Sequence, residues 1–249
     1  MSSGDQPSQL RIRKNILDLS EDEIADLRTA FTLLYENGEY SKFAAILDRL
    51  GHTQQNDLLF LPWARAYFNE FELLLRTAVP NVTLPYWDYT SSESQQEGLP
   101  GVVADPLTEE GQLNPLYRGE WREPLYTFRQ PMPPPVLREA EMLRDTAMAG
   151  EDFLTFSTSI WKADIFTHIW IGGSSRSTPT TSFDPVFWFS HCNLDRFWDQ
   201  WQRTYDDYSA PESVEDADLK PFRTEDDGTS RSLTGKDVLR TTELGYIYE

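Results

Sequence analysis

Asp164 and His168 lie four positions apart in a stretch with helical periodicity, so both side chains project from one helix face about a turn apart. His191 follows at the start of another predicted helical segment. Two imidazoles and a carboxylate suit Zn²⁺ with an open fourth position, or non-haem Fe²⁺, because both ions need vacant positions for water or substrate. The spacing therefore predicts a metal site. The alternative is a surface aspartate near two core histidines that hydrogen-bond to the backbone.

Histidine is scarce in this chain, which contains only His52, His168 and His191. A site that needs four or more imidazoles is therefore impossible within one chain. His52 stands in a polar stretch and is interpreted as a solvated loop residue. The single cysteine, Cys192, cannot form an intrachain disulfide and is interpreted as a packing residue.

The composition limits the classes of function. With 249 residues, 39% of them hydrophobic, the chain can bury a substantial core, which excludes disorder throughout. A formal net charge of −19 disfavours nucleic acids and anionic membranes as partners. The chain shows neither a membrane-spanning apolar stretch nor the basic and apolar regions of a signal peptide, so we expect a cytoplasmic protein.

Helical periodicity dominates the elements that must position these residues. Ser20 and Glu23 have the spacing of a capping box and predict the start of the first helix, which Asn37 and Gly38 end. Further helices are predicted over residues 40–50, 61–79, 135–149, 151–160, 162–170 and 184–205.

Two long segments lack this periodicity. Residues 84–135 are punctuated by proline and predict a long ordered loop packed against a scaffold. The acidic segment 206–227 predicts a solvated, mobile loop. The sequence contains no repeat, no glycine-rich phosphate loop and no G-x-S-x-G motif, which argues against nucleotide-binding and hydrolase-elbow functions. Residues 1–249 are thus predicted to form a single, mainly α-helical domain.

Several segments resemble the tyrosinase family in order along nearly the whole chain. Residues 60–72 (FLPWARAYFNEFE) resemble the copper-A helix, and residues 84–89 (LPYWDY) resemble the PYWDW segment. Residues 166–173 and 184–196 resemble the copper-B motifs, and residues 244–248 (LGYIY) resemble the close of the core domain. The resemblance implies a helical bundle of the tyrosinase and hemocyanin type with long ordered loops.

The departures from that family pattern concern its copper ligands. The family's dicopper site needs six histidines, whereas the positions that match the copper-A ligands are Leu47, a position near Gln55, and Ala64. At copper B the matching positions are Asp164, His168 and His191. The resemblance therefore implies that the copper-A site is lost and that one metal ion is held by two histidines and an aspartate.

Within that family, the sequence is similar to the fungal zinc-dependent cyclopenases, which are lyases and not oxidases. The resemblance implies one Zn²⁺ per chain and a small aromatic alkaloid as substrate. It also implies conversion of a cyclopenin-type benzodiazepinedione to a viridicatin-type quinolone by ring contraction with loss of an isocyanate fragment. Leu47 and Ala64 are expected to line the substrate pocket, and tyrosinase or catechol oxidase activity is expected to be absent.

Other interpretations stay open at this point. The general acid or base is not identified: Glu70 and Glu72 are candidates, and each can equally be a structural carboxylate of the helix. The chain could also be a metal-free tyrosinase-fold pseudoenzyme that binds a small aromatic molecule or a protein. A mononuclear non-haem iron oxygenase, or a copper monooxygenase, would use the same three ligands.

Overall fold

Helices provide most of the architecture in the computed structural model, which describes residues 10–50, 58–219, 223–224, 230–231 and 233–249. The helices are α1 (Glu21–Glu36), α2 (Glu39–Leu50), α3 (Phe60–Ala78), α4 (Ser92–Glu97), α5 (Gly101–Ala104), α6 (Arg138–Met148), α7 (Phe153–Ile171), α8 (Thr178–Thr181), α9 (Pro185–Tyr205) and α10 (Glu212–Glu215). Short 3-10 turns occupy Ile16–Asp18, Pro134–Leu137, Gly173–Arg176 and Lys236–Val238. The mainly helical fold expected from the sequence is confirmed.

The strands are short and pair two by two. They are β1 (Arg11–Arg13), β2 (Glu120–Arg122), β3 (Leu125–Tyr126), β4 (Arg223–Thr224), β5 (Ser230–Arg231) and β6 (Tyr246–Tyr248). Strands β2 and β3 pair antiparallel, as do β4 and β5, whereas β1 pairs with β6 in parallel. The parallel pair joins segments from opposite ends of the chain, and Ile12 lies opposite Ile247.

The long helices pack around an aromatic core. Helix α3 packs against α1 and α9, and α7 packs against α6 and α9. At the contact of α3 with α9, Phe71 stacks on Trp188 with ring centroids 3.7 Å apart. Tyr40 of α2 donates its hydroxyl to the backbone oxygen of Phe183, and Trp188 donates its indole N–H to Tyr40. The polar atoms of Tyr40 and Trp188 are thus hydrogen-bonded within the aromatic layer, as is usual for buried tyrosine and tryptophan.

Local sequence signals explain where the first helix begins. Ser20 accepts a hydrogen bond from the Glu23 backbone N–H, and the Glu23 carboxylate accepts one from the Ser20 N–H. This is the capping box predicted from the sequence. The helix ends at Asn37, and Gly38 follows it with a φ of 74°.

Two predictions about the elements need correction. The helices predicted over 151–160 and 162–170 form one continuous helix, α7, because no glycine or proline interrupts residues 153–171. The loop predicted over 84–135 contains the short elements α4, α5, β2 and β3, although most of it is irregular. In the acidic segment the structure describes α10 and β4. Residues 220–222 and 225–229, and the positions His52 and Gln55, lie outside the described part of the chain.

None of the helices in the described part of the chain combines the length and the apolar character needed to cross a bilayer.

A buried charge network connects β1, α3, α9 and β6. Asp195, on α9, accepts hydrogen bonds from Arg65 Nε at 2.5 Å and from the hydroxyls of Tyr246 and Tyr248 at 2.6 and 2.5 Å. Arg13 Nη1 lies 3.4 Å from the same carboxylate. Burial alone would raise the pKa of Asp195, but the guanidiniums of Arg65 and Arg13 outweigh it and hold that pKa below its ordinary value.

We expect Asp195→Asn to lower the free energy of unfolding by about 3–5 kcal/mol, because it leaves the buried guanidinium of Arg65 without its ion-pair partner and removes one of the two carboxylates beside Arg13. Chemical denaturation measures this loss. The control is Glu39→Gln, which removes an exposed ion pair with Lys42 and should cost less than about 1 kcal/mol. Equal losses in the two variants would show that Asp195 does not stabilise the buried arginine side chains.

The lowered pKa of Asp195 also predicts a pH dependence of stability. The unfolded chain binds a proton at this carboxyl more readily than the folded chain does. The stabilisation that the Asp195 carboxylate contributes is therefore complete above pH about 4, the ordinary aspartate range, and declines as the pH falls toward the folded-state pKa. Asp195→Asn should remove this part of the acid-induced destabilisation.

Candidate metal centre

Helices α7 and α9 bring together the three residues that the sequence predicts as metal ligands. The distance from Asp164 Oδ1 to His191 Nε2 is 3.2 Å, and that from Asp164 Oδ2 to His168 Nε2 is 3.7 Å. The two imidazole Nε2 atoms are 3.2 Å apart. One ligand atom from each residue lies within 4.8 Å of the others, so the three can share one ion.

These separations fit a small divalent cation. Tetrahedral Zn²⁺ with bonds of about 2.0–2.1 Å places its ligand atoms about 3.4 Å from one another. The observed separations of 3.2, 3.2 and 3.7 Å lie on both sides of that value. The donor set of two nitrogens and a carboxylate is one that zinc and iron accept and that leaves positions for other ligands.

The backbone fixes the tautomer of His191. Its Nδ1 lies 2.8 Å from the backbone oxygen of Phe187, one turn earlier on α9. Because a carbonyl oxygen only accepts hydrogen bonds, Nδ1 carries the proton and Nε2 presents a lone pair toward Asp164 and His168. Burial lowers the pKa of His191 to about 4, so the ring is neutral at pH 7, which is the form that binds metals.

Hydroxyl groups hold the other imidazole. His168 Nδ1 lies 3.0 Å from Ser175 Oγ and 3.2 Å from Thr181 Oγ1. Ser175 belongs to the 3-10 turn after α7, and Thr181 ends α8. When Nδ1 donates to either hydroxyl, Nε2 is left as the ligand atom. Polar partners behind a ligating histidine fix its ring orientation and raise its basicity in this way.

The three residues line a cavity of about 300 Å³ whose other walls are mainly apolar. Leu47 of α2 and Ala64 of α3 also line it, and their place in a substrate pocket stays a prediction. Its aromatic lining residues are Phe60, Trp63, Phe68, Trp161 and Phe187. The Phe187 and His191 ring centroids are 4.0 Å apart. The cavity can therefore admit a flat apolar molecule beside the three donors.

Glu70 and Glu72 are not among the described residues that line this cavity. Glu72 is fully buried and accepts hydrogen bonds from Arg13 Nε at 2.9 Å and from the Leu84 backbone N–H at 3.2 Å. These contacts favour the structural interpretation of Glu72 that the sequence left open. Glu70 is also buried on α3.

Sequence reasoning missed the polar residues that follow α7. Ser175, Arg176, Thr178 and Thr181 all line the cavity. Their signal in the sequence is a polar stretch directly after Gly172 and Gly173, close to the predicted ligand His168. Such a stretch is typical of any helix-to-helix connection, so the sequence alone does not distinguish it.

A family comparison agrees with this architecture. The description "Common central domain of tyrosinase" matches residues 22–152 and 136–204, which is most of the chain. The chain belongs to the tyrosinase and hemocyanin family of type-3 copper proteins. The segments that hold Asp164, His168 and His191 lie inside the matched region.

Known relatives include both hemocyanins and tyrosinases. Hemocyanin 2 of Megathura crenulata is 31% identical over an alignment length of 217, and the match covers 78% of this chain and 6% of that protein. A tyrosinase of Streptomyces glaucescens is 28% identical over an alignment length of 243, and the match covers 79% of this chain and 84% of that protein. The chain thus spans only a small part of the hemocyanin.

Solved structures show the same fold. A functional unit of octopus hemocyanin superposes with a TM-score of 0.81 at 24% identity and covers 96% of this chain and 68% of that one. A tyrosinase from Burkholderia thailandensis superposes with a TM-score of 0.80 at 18% identity and covers 96% of this chain and 73% of that one. At these identities the likeness shows the fold alone.

We expect the double variant Ser175→Ala/Thr181→Ala to bind zinc about 10–100-fold more weakly, because His168 loses both partners of Nδ1. Competition with a chromophoric chelator measures the dissociation constant. Thr158→Ala is the matched control: this exposed threonine of α7 bonds only within its own helix, to the Leu154 and Thr155 backbone oxygens. Unchanged zinc affinity in the double variant would show that the hydroxyls do not support the ligand.

Proposed function

We propose that this protein is a mononuclear, zinc-dependent, non-redox lyase of fungal alkaloid biosynthesis. Its substrate would be a cyclopenin-type benzodiazepinedione. The product would be a viridicatin-type quinolone, formed by ring contraction with loss of an isocyanate fragment. The observation that carries the proposal is the convergence of Asp164, His168 and His191 in the lining of a largely apolar cavity.

The residue types favour one metal ion over the family's copper pair. A type-3 dicopper site takes six histidines, and this chain has three in total. Two positions that match copper-A ligands are Leu47 and Ala64, which cannot coordinate a metal and instead line the cavity. Under the proposal, the half of the site that holds copper A in the relatives is space for an aromatic substrate.

The chain's own residues have distinct tasks in the proposed reaction. Asp164, His168 and His191 hold the metal ion, and the hydroxyls of Ser175 and Thr181 hold His168 in the ligating orientation. The bound ion would supply Lewis-acid stabilisation of negative charge that develops on a substrate carbonyl or epoxide oxygen. Aromatic walls such as Trp63 and Phe187 exclude water from the ring system of the substrate.

One observation favours a second candidate function, a metal-free binding protein. The His168 and His191 Nε2 atoms are 3.2 Å apart, within hydrogen-bond distance. If the Ser175 hydroxyl donates to His168 Nδ1, the Nε2–H of His168 can donate to the lone pair of His191 Nε2. The two imidazoles would then be paired without an ion and would serve stability only, with Asp164 Oδ1 still 3.2 Å from the unprotonated Nε2 of His191.

Elemental analysis of the protein purified without added metal separates these two functions. We expect about one zinc per chain in the parent protein and little in His168→Ala or Asp164→Ala, because each substitution removes one of three ligands. Asp145→Ala, which removes an exposed carboxylate of α6, is the control and should keep its zinc. Zinc-loaded protein should convert cyclopenin and leave catechol unoxidised.

Two other results would contradict the zinc-dependent lyase. Absence of metal from the parent, with His168→Ala altering only the unfolding midpoint, would support the metal-free binding protein. Iron in place of zinc, with oxygen consumed during turnover, would contradict the lyase and support an oxygenase.

The cavity itself is tested by Ala64→Phe. The larger side chain occupies part of the cavity, so we expect the KM for cyclopenin to rise about tenfold or more while the zinc content stays the same. Ala25→Phe on the exposed face of α1 is the control for the substitution itself. An unchanged KM in Ala64→Phe would show that the substrate does not use this side of the cavity.

A further inference from the structure

Arg176 is the one permanently cationic side chain among the described residues that line the cavity. It ends the 3-10 turn after α7 and is exposed, whereas His191 is buried. An exposed guanidinium and the three donors therefore belong to the lining of one cavity. The placement is notable because the chain as a whole has a formal charge of −19.

The guanidinium is held by the helix that carries His168. Arg176 Nε and Nη2 both donate to the backbone oxygen of Ile169, at 3.3 and 3.0 Å. Ile169 itself lines the cavity. Two hydrogen bonds to one oxygen fix the plane of the guanidinium, and Nη1 makes no hydrogen bond to any residue of the described ranges. A preorganised planar donor costs little entropy when it binds an oxygen acceptor.

We propose that Arg176 is a specificity-determining residue that binds a carbonyl or carboxylate oxygen on a flat aromatic substrate of this cavity. The proposal rests on the cavity being the substrate site of the proposed function. The aromatic walls recognise the ring system, and Arg176 selects molecules whose oxygen acceptor reaches its guanidinium. A carboxylate gains a charge-assisted hydrogen bond there, and an amide carbonyl gains a weaker one.

A purely structural role for Arg176 makes a different prediction. Its contact with Ile169 places a cationic side chain on the last carbonyls of α7, which stabilises a helix end in general. In that case, removing the guanidinium would lower the unfolding midpoint and would weaken all ligands of the cavity alike. The test must therefore compare ligands that differ only in the oxygen acceptor.

Three probes with the same ring meet this requirement: indole-3-carboxylate, indole-3-carboxamide and 3-methylindole. Ligand-observed NMR titration of the purified protein gives their dissociation constants. We expect Arg176→Gln to weaken the carboxylate about tenfold, the carboxamide about threefold, and 3-methylindole less than twofold. Arg176→Lys keeps the charge but not the planar fork and should give intermediate values for the carboxylate.

The control for the change in net charge is Arg122→Gln, an exposed arginine of β2 that does not line the cavity. It should leave all three constants within twofold. Equal weakening of the three probes in Arg176→Gln, unchanged binding of the carboxylate, or no saturable binding of the carboxylate to the parent protein would each overturn the proposal.

Repeating the titrations in His168→Ala separates this proposal from the proposed function. Binding of the carboxylate by a metal ion is removed in that variant, so a tenfold effect of Arg176→Gln that persists there supports the arginine subsite by itself. An effect confined to the zinc-loaded protein would overturn the arginine subsite and leave the proposed zinc-dependent lyase unaffected. Absence of zinc from the parent, with the contrast among probes preserved, would overturn the lyase only.

Discussion

Asp195 is a buried carboxylate that accepts hydrogen bonds from donors in three separate segments of the chain. Arg65 reaches it from α3, Arg13 from β1, and Tyr246 from β6. Moving such a charge out of water is costly, so the network is stable only when all segments are in place together. His191 precedes Asp195 by one turn on the same face of α9. Because the Asp195 network fixes the orientation of this face, it also fixes the direction in which His191, a candidate metal ligand, projects.

The sequence contained enough information for the candidate ligands but not for the residues around them. The spacing of Asp164 and His168 needs only a regular helix, and α7 supplies it. The extent of α7 was underestimated for a physical reason. It packs against both α6 and α9, and its apolar residues are spread around the helix, so they form no clear stripe from which its length could be judged.

The supporting hydroxyls depend on tertiary contacts that no local pattern encodes. Gly172 and Gly173 have φ values of 70° and 55°, and a Cβ on either would approach the backbone oxygen of Gln130 or Phe128 to 2.3 or 2.2 Å. The turn that returns Ser175 toward His168 therefore requires glycine, because the irregular segment around residues 128–130 lies against it. The glycines are visible in the sequence, whereas the segment that makes them necessary is known only from the fold.

Replacing a third imidazole with Asp164 affects the choice of metal and the electrostatics of the cavity together. A carboxylate is a harder donor than imidazole and favours Zn²⁺ or Fe²⁺ over Cu⁺. It also cancels one of the two positive charges that a divalent ion brings, so a loaded site would carry one net positive charge besides that of Arg176. Both charges then favour electron-rich oxygen atoms on a molecule bound in this largely apolar cavity. In the proposed function, the aromatic side chains bind the ring system, and the two positive charges set its orientation through its oxygen atoms.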